Sequence, residues 1–481
     1  MASTKDILLR KLRGGEDLSG AERFRLTMVL SAPAILAQLS MCLMTYIDAA
    51  MVGHLGSTQA AAIGLVSTTT WIFGAFCYAN NSGFSVQIAH RCGAADFDGA
   101  RRIFRKGLAV LSCVSLLFAA AALMISGPLP QWLGGSENIC TDARDYFRIY
   151  AAFLPVFQIA VFSEASLVAS GNMKVPSLTS IAMCVLDVFF NYLLIFRAEM
   201  GVKGAALGTG LATLCNGIFL LIYAFRKSPE LRQSAVALLR SGLSRARQRN
   251  IFISGPDFGQ TGLYRHAWGI TWPLWLQNIV SRGAYIAATV LIAPLGTVAI
   301  AANSFAIIAE GFCYLPGAGV QDAATTLVGQ SLGAGRKDLA RRFARITIAS
   351  GASMMTLLAV AMYALAPQLI GLMSNDPAVI DLGVRCLRIE AWAELLYGVS
   401  IVAYGCCIGA GDTMVPSMIN LLSMWVVRIG LALALIPHFG LVGYWYAMAA
   451  DLCCKGLIFA VRIRRGDWMK KQFTNENDKK H

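Results

Sequence analysis

The stretch Gly171-Asn172-Met173-Lys174-Val175-Pro176-Ser177 returns 240 residues later as Gly411-Asp412-Thr413-Met414-Val415-Pro416-Ser417. The same offset relates Pro33 to Pro273, Leu55-Gly56 to Leu295-Gly296, Gly93-Ala94 to Gly333-Ala334, and Ala100-Arg101-Arg102 to Ala340-Arg341-Arg342. Matches at one constant spacing read as an internal duplication. Apolar runs of about 20 residues, the length of a bilayer-crossing helix, recur along the whole chain and give each copy six spans. Six is even, so both copies enter the membrane in the same orientation, related by a pseudo-two-fold axis along the membrane normal. The predicted fold is an all-α polytopic membrane protein: twelve transmembrane helices in two six-helix lobes facing each other across a central cavity. One lobe rocking against the other is the architecture of a secondary transporter.

The spans are expected at roughly 27–51, 61–87, 107–126, 147–170, 176–196, 202–225, 268–293, 299–329, 345–366, 384–408, 416–437 and 441–463. The chain then divides into a cytoplasmic N-terminus (1–26), an N-lobe (27–225), a basic cytoplasmic linker (226–267), a C-lobe (268–463) and a cytoplasmic tail (464–481). Composition agrees, with 56% hydrophobic and only 14% charged residues. The net charge of +14 would suit nucleic acid, but the basic residues sit in short loops between apolar runs, where they set topology. Arg10, Lys11 and Arg13 precede span 1; Arg101, Arg102, Arg105 and Lys106 lie between spans 2 and 3. Arg336, Lys337, Arg341 and Arg342 lie between spans 8 and 9, and Arg462, Arg464 and Arg465 follow span 12. The alternate loops are poor in positive charge or carry acids such as Glu137 and Asp142, so the positive-inside rule puts both termini in the cytoplasm.

The linker carries Arg240, Arg245, Arg247 and Arg249 around Ala237, Leu238 and Leu239, a composition suited to lying on anionic lipid. Up to Arg25 the N-terminus is polar and mixed in charge, without the short apolar core of a cleaved signal. Span 1 then serves as the anchor. The cysteines are scattered through apolar segments with no metal-ligand spacing and no disulfide framework.

One carboxylate falls near the end of span 1, in Thr45-Tyr46-Ile47-Asp48-Ala49-Ala50-Met51-Val52-Gly53-His54-Leu55-Gly56. A charge in hydrocarbon costs at least a few kcal/mol, so Asp48 is a functional-site candidate, with interfacial helix capping as the plainer alternative. Its counterpart in the second copy is Ala288.

Together with the repeat, the Asp48 to Gly56 stretch, the run Val328-Gly329-Gln330-Ser331-Leu332-Gly333-Ala334-Gly335, the run Val185-Leu186-Asp187-Val188-Phe189-Phe190, the Gly204-Ala205-Ala206-Leu207-Gly208-Thr209 helix and the paired Val-Pro-Ser turns resemble the multidrug and toxic compound extrusion (MATE) family. The resemblance runs from about Ala21 to Arg465 and is nearer to the bacterial, DinF-like branch. It implies an antiporter exporting organic, often cationic compounds in exchange for H+ or Na+, located in the bacterial inner membrane. It also implies that acids in spans 1 and 5 and a span 6 threonine form an N-lobe cation site.

Depth bears on that implication independently. Spans 1 and 5 run outward, which puts Asp48 in the outer half and Asp187 near or beyond the midplane at 1.5 Å per residue. Span 6 runs inward and carries Thr209 at the same depth. Asn191, one turn beyond Asp187, offers another oxygen. Two carboxylates meeting in low dielectric cannot both ionise easily, which makes the pair a coupling device. Carboxylate, hydroxyl and amide oxygens also suit Na+, so the ligands alone do not choose the ion.

Some relatives carry acids in spans 7 and 10, but the matching positions here hold Ser281 and Tyr397, which argues against a sodium site of that kind. The C-lobe has instead Arg282, Glu310, Glu390, Glu394 and Arg428. Glu390, Glu394 and Tyr397 share a helical face, so ion pairs with the two arginines are plausible, as structural links or as cavity groups. Met41, Met44, Trp71, Tyr78, Trp275, Tyr285 and Trp392 are candidates for a cavity lining suited to flat or cationic organic molecules, with core or lipid packing as the alternative for each.

Gly333-Ala334-Gly335 lacks a preceding strand and a Gly-Lys-Ser/Thr signature, so no nucleotide loop is expected and an ion gradient is the energy source. The spans hold no His-Glu-x-x-His set and no nucleophile paired with a base, so no enzyme and no cofactor is expected. The expected partners are a small organic substrate and the lipid bilayer, without nucleic acid, around a monomer. The second function class is a lipid-linked saccharide flippase, for which Arg282 and Arg428 make a sparse cationic cavity.

Overall fold

The structure is a computed structural model that describes residues 4–53, 55–232 and 260–469. The linker arginines from Arg240 to Arg249 and the last twelve residues of the tail therefore lie outside the described residues. All regular structure among the described residues is helical. A short helix α1 (Thr4–Arg13) is followed by α2 (Gly20–Gly53), α3 (Ser57–Gly93), α4 (Phe97–Ile125), the one-turn α5 (Leu129–Trp132), α6 (Glu137–Ala169), α7 (Lys174–Asn191) and α8 (Gly201–Arg226). The second half continues with α9 (Gln260–Ile292), α10 (Thr297–Gly333), α11 (Lys337–Gly371), α12 (Pro377–Gly409), α13 (Met414–Leu422), α14 (Gly430–Phe439) and α15 (Leu441–Arg465). Two π-helical segments interrupt the order: Tyr192–Arg197 extends α7, and Ser423–Ile429 joins α13 to α14.

Eleven helical stretches among the described residues are long and apolar enough to cross a bilayer. The twelfth expected span, α15, falls outside that set; it carries Asp451 and Lys455, which pair with each other inside the protein. Along the spans, large apolar side chains such as Leu117, Met124 and Val185 are exposed, as expected of surfaces whose solvent is lipid.

Local chemistry explains the helix boundaries. Ser19 and Glu22 form a capping box: the Ser19 hydroxyl accepts from the Glu22 amide at 3.2 Å, and the Glu22 carboxylate accepts from the Ser19 amide at 2.8 Å. Asp96 caps α4 by accepting from Gly99 N–H at 2.8 Å, and Asp376 caps α12 from Ala378 N–H at 2.9 Å. The repeated Gly-x-x-x-Val-Pro-Ser stretch is a helix stop followed by a helix start. Gly171 and Gly411 take φ of 89° and 77°, a left-handed conformation that costs glycine little. The amides of Asn172 and Asp412 then close the same turn, onto Leu167 O and Cys407 O, each at 2.9 Å.

The chain divides into two compact units, with boundaries at Ile47/Asp48 and Thr271/Trp272. Both boundaries fall inside helices that contain the repeated prolines, α2 and α9. One unit holds Asp48–Thr271; its core packs Phe84, Phe104 and Phe162 on one side and Phe147, Leu154 and Val66 on another. The other joins the segment ending at Ile47 to the segment beginning at Trp272, around Trp445, Leu387, Val402 and Phe459. In this second unit α1 buries Leu8, Leu9 and Leu12.

Candidate ion-coupling site

In the unit holding Asp48–Thr271, the first, fifth and sixth spans meet around one side-chain amide. Asn191 Nδ2 donates to Asp48 Oδ1 and to Asp187 Oδ2, each at 3.0 Å. A primary amide has two N–H donors, so both are used. Asp187 and Asn191 are buried, 0% and 2% exposed, and Asp48 is half-buried. The two carboxyl groups share this one donor amide; carboxylate oxygens accept and do not donate, so only a proton or a metal cation can join them directly. Asp187 Oδ1 and Asn191 Oδ1 have no hydrogen-bond partner among the described residues, which leaves two oxygens for a ligand. Tyr146 of α6 lies close enough to feel both acids.

Helix periodicity explains why these groups converge. Asp187 and Asn191 are one turn apart on α7, and the π-helical turn begins at the next residue, Tyr192. Glycines bring α8 against them: a Cβ at Gly208 would stand 2.0 Å from Asn191 Oδ1, and one at Gly204 would stand 2.8 Å from Leu194 backbone atoms. The small-xxx-small pair therefore serves close packing. Thr209 follows Gly208 and is half-buried, but its hydroxyl makes no hydrogen bond to the two acids or to Asn191 among the described residues. The structure thus joins Asp48, Asp187 and Asn191 directly, and places Thr209 beside them.

The C-lobe charges form two groups instead of the expected glutamate–arginine pairs. Arg428 takes Asp451 as its partner, with Nε and Nη2 each 2.9 Å from Asp451 Oδ2. Lys455 Nζ reaches the same oxygen at 2.8 Å, and the Ser423 hydroxyl donates to Asp451. Glu310, Glu390 and Glu394 form the second group, with oxygens within 4.8 Å of one another. Tyr397 stacks on Tyr314 with ring centres 6.0 Å apart. Arg282 lies 6.0 Å from the centre of the Tyr285 ring.

The aromatic and methionine candidates are dispersed. Met44 is in the core, Met41 and Trp275 are half-buried, and Trp71, Tyr78 and Tyr285 are exposed. Trp392 is 80% exposed, beside Tyr363 and away from the buried Glu390 and Glu394 of its own helix.

Three acids in spans escaped sequence reasoning: Glu164, Asp322 and Asp451. Asp451 is fully buried, and Asp322 on α10 lies near Gln38 of α2. The signal was available: each is a lone acid in an apolar run, as Asp48 is.

A family model described as MatE matches residues 33–193 and again residues 273–433. The chain belongs to the MatE family. The two matches are set apart by the offset of the internal repeat. Among similar proteins, a "probable multidrug resistance protein NorM" of Pseudomonas aeruginosa is 29% identical over 93% of this chain and 91% of its own length. A protein of the same description from Thermotoga maritima is 25% identical over 92% of each. These relatives carry the NorM name, whereas the sequence pointed to the DinF-like branch. Among solved structures, a MATE in the straight conformation superposes with a TM-score of 0.84 at 18% identity, covering 96% of this chain and 99% of the other. A Vibrio cholerae MATE transporter in the bent form superposes with a TM-score of 0.79 at 18% identity, covering 97% and 98%. This MATE chain is therefore a multi-pass transporter of the multidrug efflux family and not an enzyme. The flippase alternative gains no support from these relatives.

Proposed function

We propose that the chain is a secondary antiporter that exports organic, often cationic compounds in exchange for protons or sodium ions, with Asp48 and Asp187 as the coupling groups. The observation that carries this reading is the single Asn191 amide shared between the two carboxyl groups. A cation at that point cancels charge between two acids on different spans. Its loss leaves like charges facing each other across one amide, which favours their separation and frees α2 from α7. Because Asp48 sits on the end of α2, the cation controls how that helix end is tethered. Alternating access then couples inward cation movement to outward substrate movement.

The drug-resistance names of the relatives support a small organic substrate, and the basic loops support a bacterial inner-membrane protein with both termini in the cytoplasm. A single chain contains both halves of the duplication, so a monomer is the working unit. In proteoliposomes with an imposed pH or sodium gradient, ethidium movement driven by the parent protein should fall about tenfold or more in Asp48→Asn and Asp187→Asn. Undiminished gradient-driven transport in both variants would sink the coupling role.

A further inference from the structure

Trp392 was expected to line a cavity, but it lies 80% exposed on α12, one turn beyond Arg388. Tyr363 of α11 contacts both residues. Its ring centre is 5.1 Å from the Arg388 guanidinium carbon, and it meets the Trp392 ring edge-on with centres 6.4 Å apart. The two helices pack closely at this end, where a Cβ at Gly383 would stand 3.1 Å from Ile370 Cγ2. All of these residues belong to one compact unit, and none takes part in the Asp48 and Asp187 pair.

Arg388 is otherwise bare. It forms no ion pair and no hydrogen bond among the described residues, and its Nε is buried without a partner. Asp381, two turns earlier on the helix, is taken by Arg385 at 2.8 Å. An arginine about 16 Å along a helix of bilayer-crossing composition is costly without a counter-charge. In the topology proposed above, this end of α12 faces the outside, so the positive-inside rule does not account for it.

The internal repeat supplies a comparison. The counterpart of Arg388 is Arg148, whose Nε donates to the Ser126 hydroxyl at 3.2 Å. The second copy has Ala366 in place of Ser126, so that acceptor is gone. It also has Tyr363 and Trp392 where the first copy has Leu123 and Ala152. One arginine is tied internally, whereas the other has lost its tie and gained an aromatic frame open to the bilayer. From that frame, exposed Leu357 and Val360 of α11 and Leu395 of α12 continue toward mid-span, a strip fit for an acyl chain. A guanidinium matches a phosphate through parallel N–H donors, and Tyr and Trp rings settle at headgroup depth.

We infer that Arg388, Tyr363 and Trp392 form a binding site for the phosphate of an anionic phospholipid in the outer leaflet. The choice of leaflet rests on the proposed topology; the site itself does not depend on how transport is coupled.

The test uses full-length protein purified in detergent and supplied with phosphatidylglycerol or, for comparison, phosphatidylcholine. Native mass spectra should show phosphatidylglycerol retained in preference, and Arg388→Gln should weaken retention of the first bound lipid about tenfold. Arg148→Gln should leave it unchanged. Tyr363→Leu combined with Trp392→Ala, the residues of the first copy, should weaken it while keeping the arginine, and gives the reading if Arg388→Gln is not monodisperse. Equal retention by the parent and by these variants overturns the site, as does equal retention of phosphatidylcholine. A dimer of the parent that Arg388→Gln dissolves overturns it too, and assigns the face to a second copy of the chain. No transport is measured, so failure here and failure of the Asp48/Asp187 reading are distinguishable.

Discussion

Asn191 shows how much one side chain can settle. An aspartate there would add a third negative charge, and a leucine would leave two acids without a shared donor; the amide alone supplies two hydrogens to two acceptors. This much of the site was legible in sequence, because a polar group one helical turn from an intramembrane acid stands out against an apolar run. The partner of Arg428 was not legible. Glutamates on α12 looked suitable by charge, but which acid a mid-span arginine reaches depends on tertiary packing, and Asp451 of α15 is the one it meets. A second residue-scale consequence comes from comparing the copies. Gly335 takes φ of 75°, and its counterpart Ala95 takes φ of 57°. The following amides close equivalent turns, Asp96 onto Arg91 O and Arg336 onto Ser331 O, each at 2.9 Å. A left-handed alanine carries roughly 1–2 kcal/mol of strain. Ala95→Gly should therefore stabilise the protein by about 0.5–1 kcal/mol after the added backbone entropy is counted, and Gly335→Ala should do the reverse. Thermal unfolding in detergent measures both; a lower midpoint for Ala95→Gly would contradict the assignment of strain.

At the scale of elements, hydrophobic run length placed the spans well, because bilayer thickness fixes how long an apolar helix must be. Two elements departed from expectation for separate reasons. The N-terminal segment, polar on average, contains Leu8, Leu9 and Leu12 on one face of α1, an amphipathic signal too short to register by composition. Helix α15 hides a charge pair inside a span, so its apolar character understates its burial. Helix pairing depends in part on single glycines that, unlike the Gly204/Gly208 pair, have no periodic signature. At Gly319 of α10, a Cβ would meet Ile35 N at 2.6 Å and Ile35 Cα at 2.7 Å on α2. Both are backbone atoms that cannot rotate away. Gly319→Val should cost about 1–3 kcal/mol by forcing the helices apart, read as a lowered unfolding midpoint. An unchanged midpoint would mean that α2 does not rest against α10 here.

For the whole molecule, the 240-residue offset was the most informative pattern in the sequence, and the family matches at 33–193 and 273–433 carry the same offset. The compact units do not follow the halves of the repeat. Asp48–Thr271 lacks the first part of α2 and gains the first part of α9, while the second unit has the opposite exchange. Each half of the chain therefore lacks part of its own unit when made alone. Residues 1–240 and 241–481 expressed separately should be degraded, and their co-expression should restore protein in the membrane and gradient-driven ethidium efflux. Stable, separately folded halves would show that the exchange is dispensable.

That exchange also constrains how such a gene could arise. A six-helix ancestor with the same traded helix would have been incomplete as a single polypeptide and whole only as a parallel homodimer. Fusion of two such genes would place both copies in one chain and free each to drift. Asp48 could persist in one copy while Ala288 took its place in the other without dismantling the scaffold.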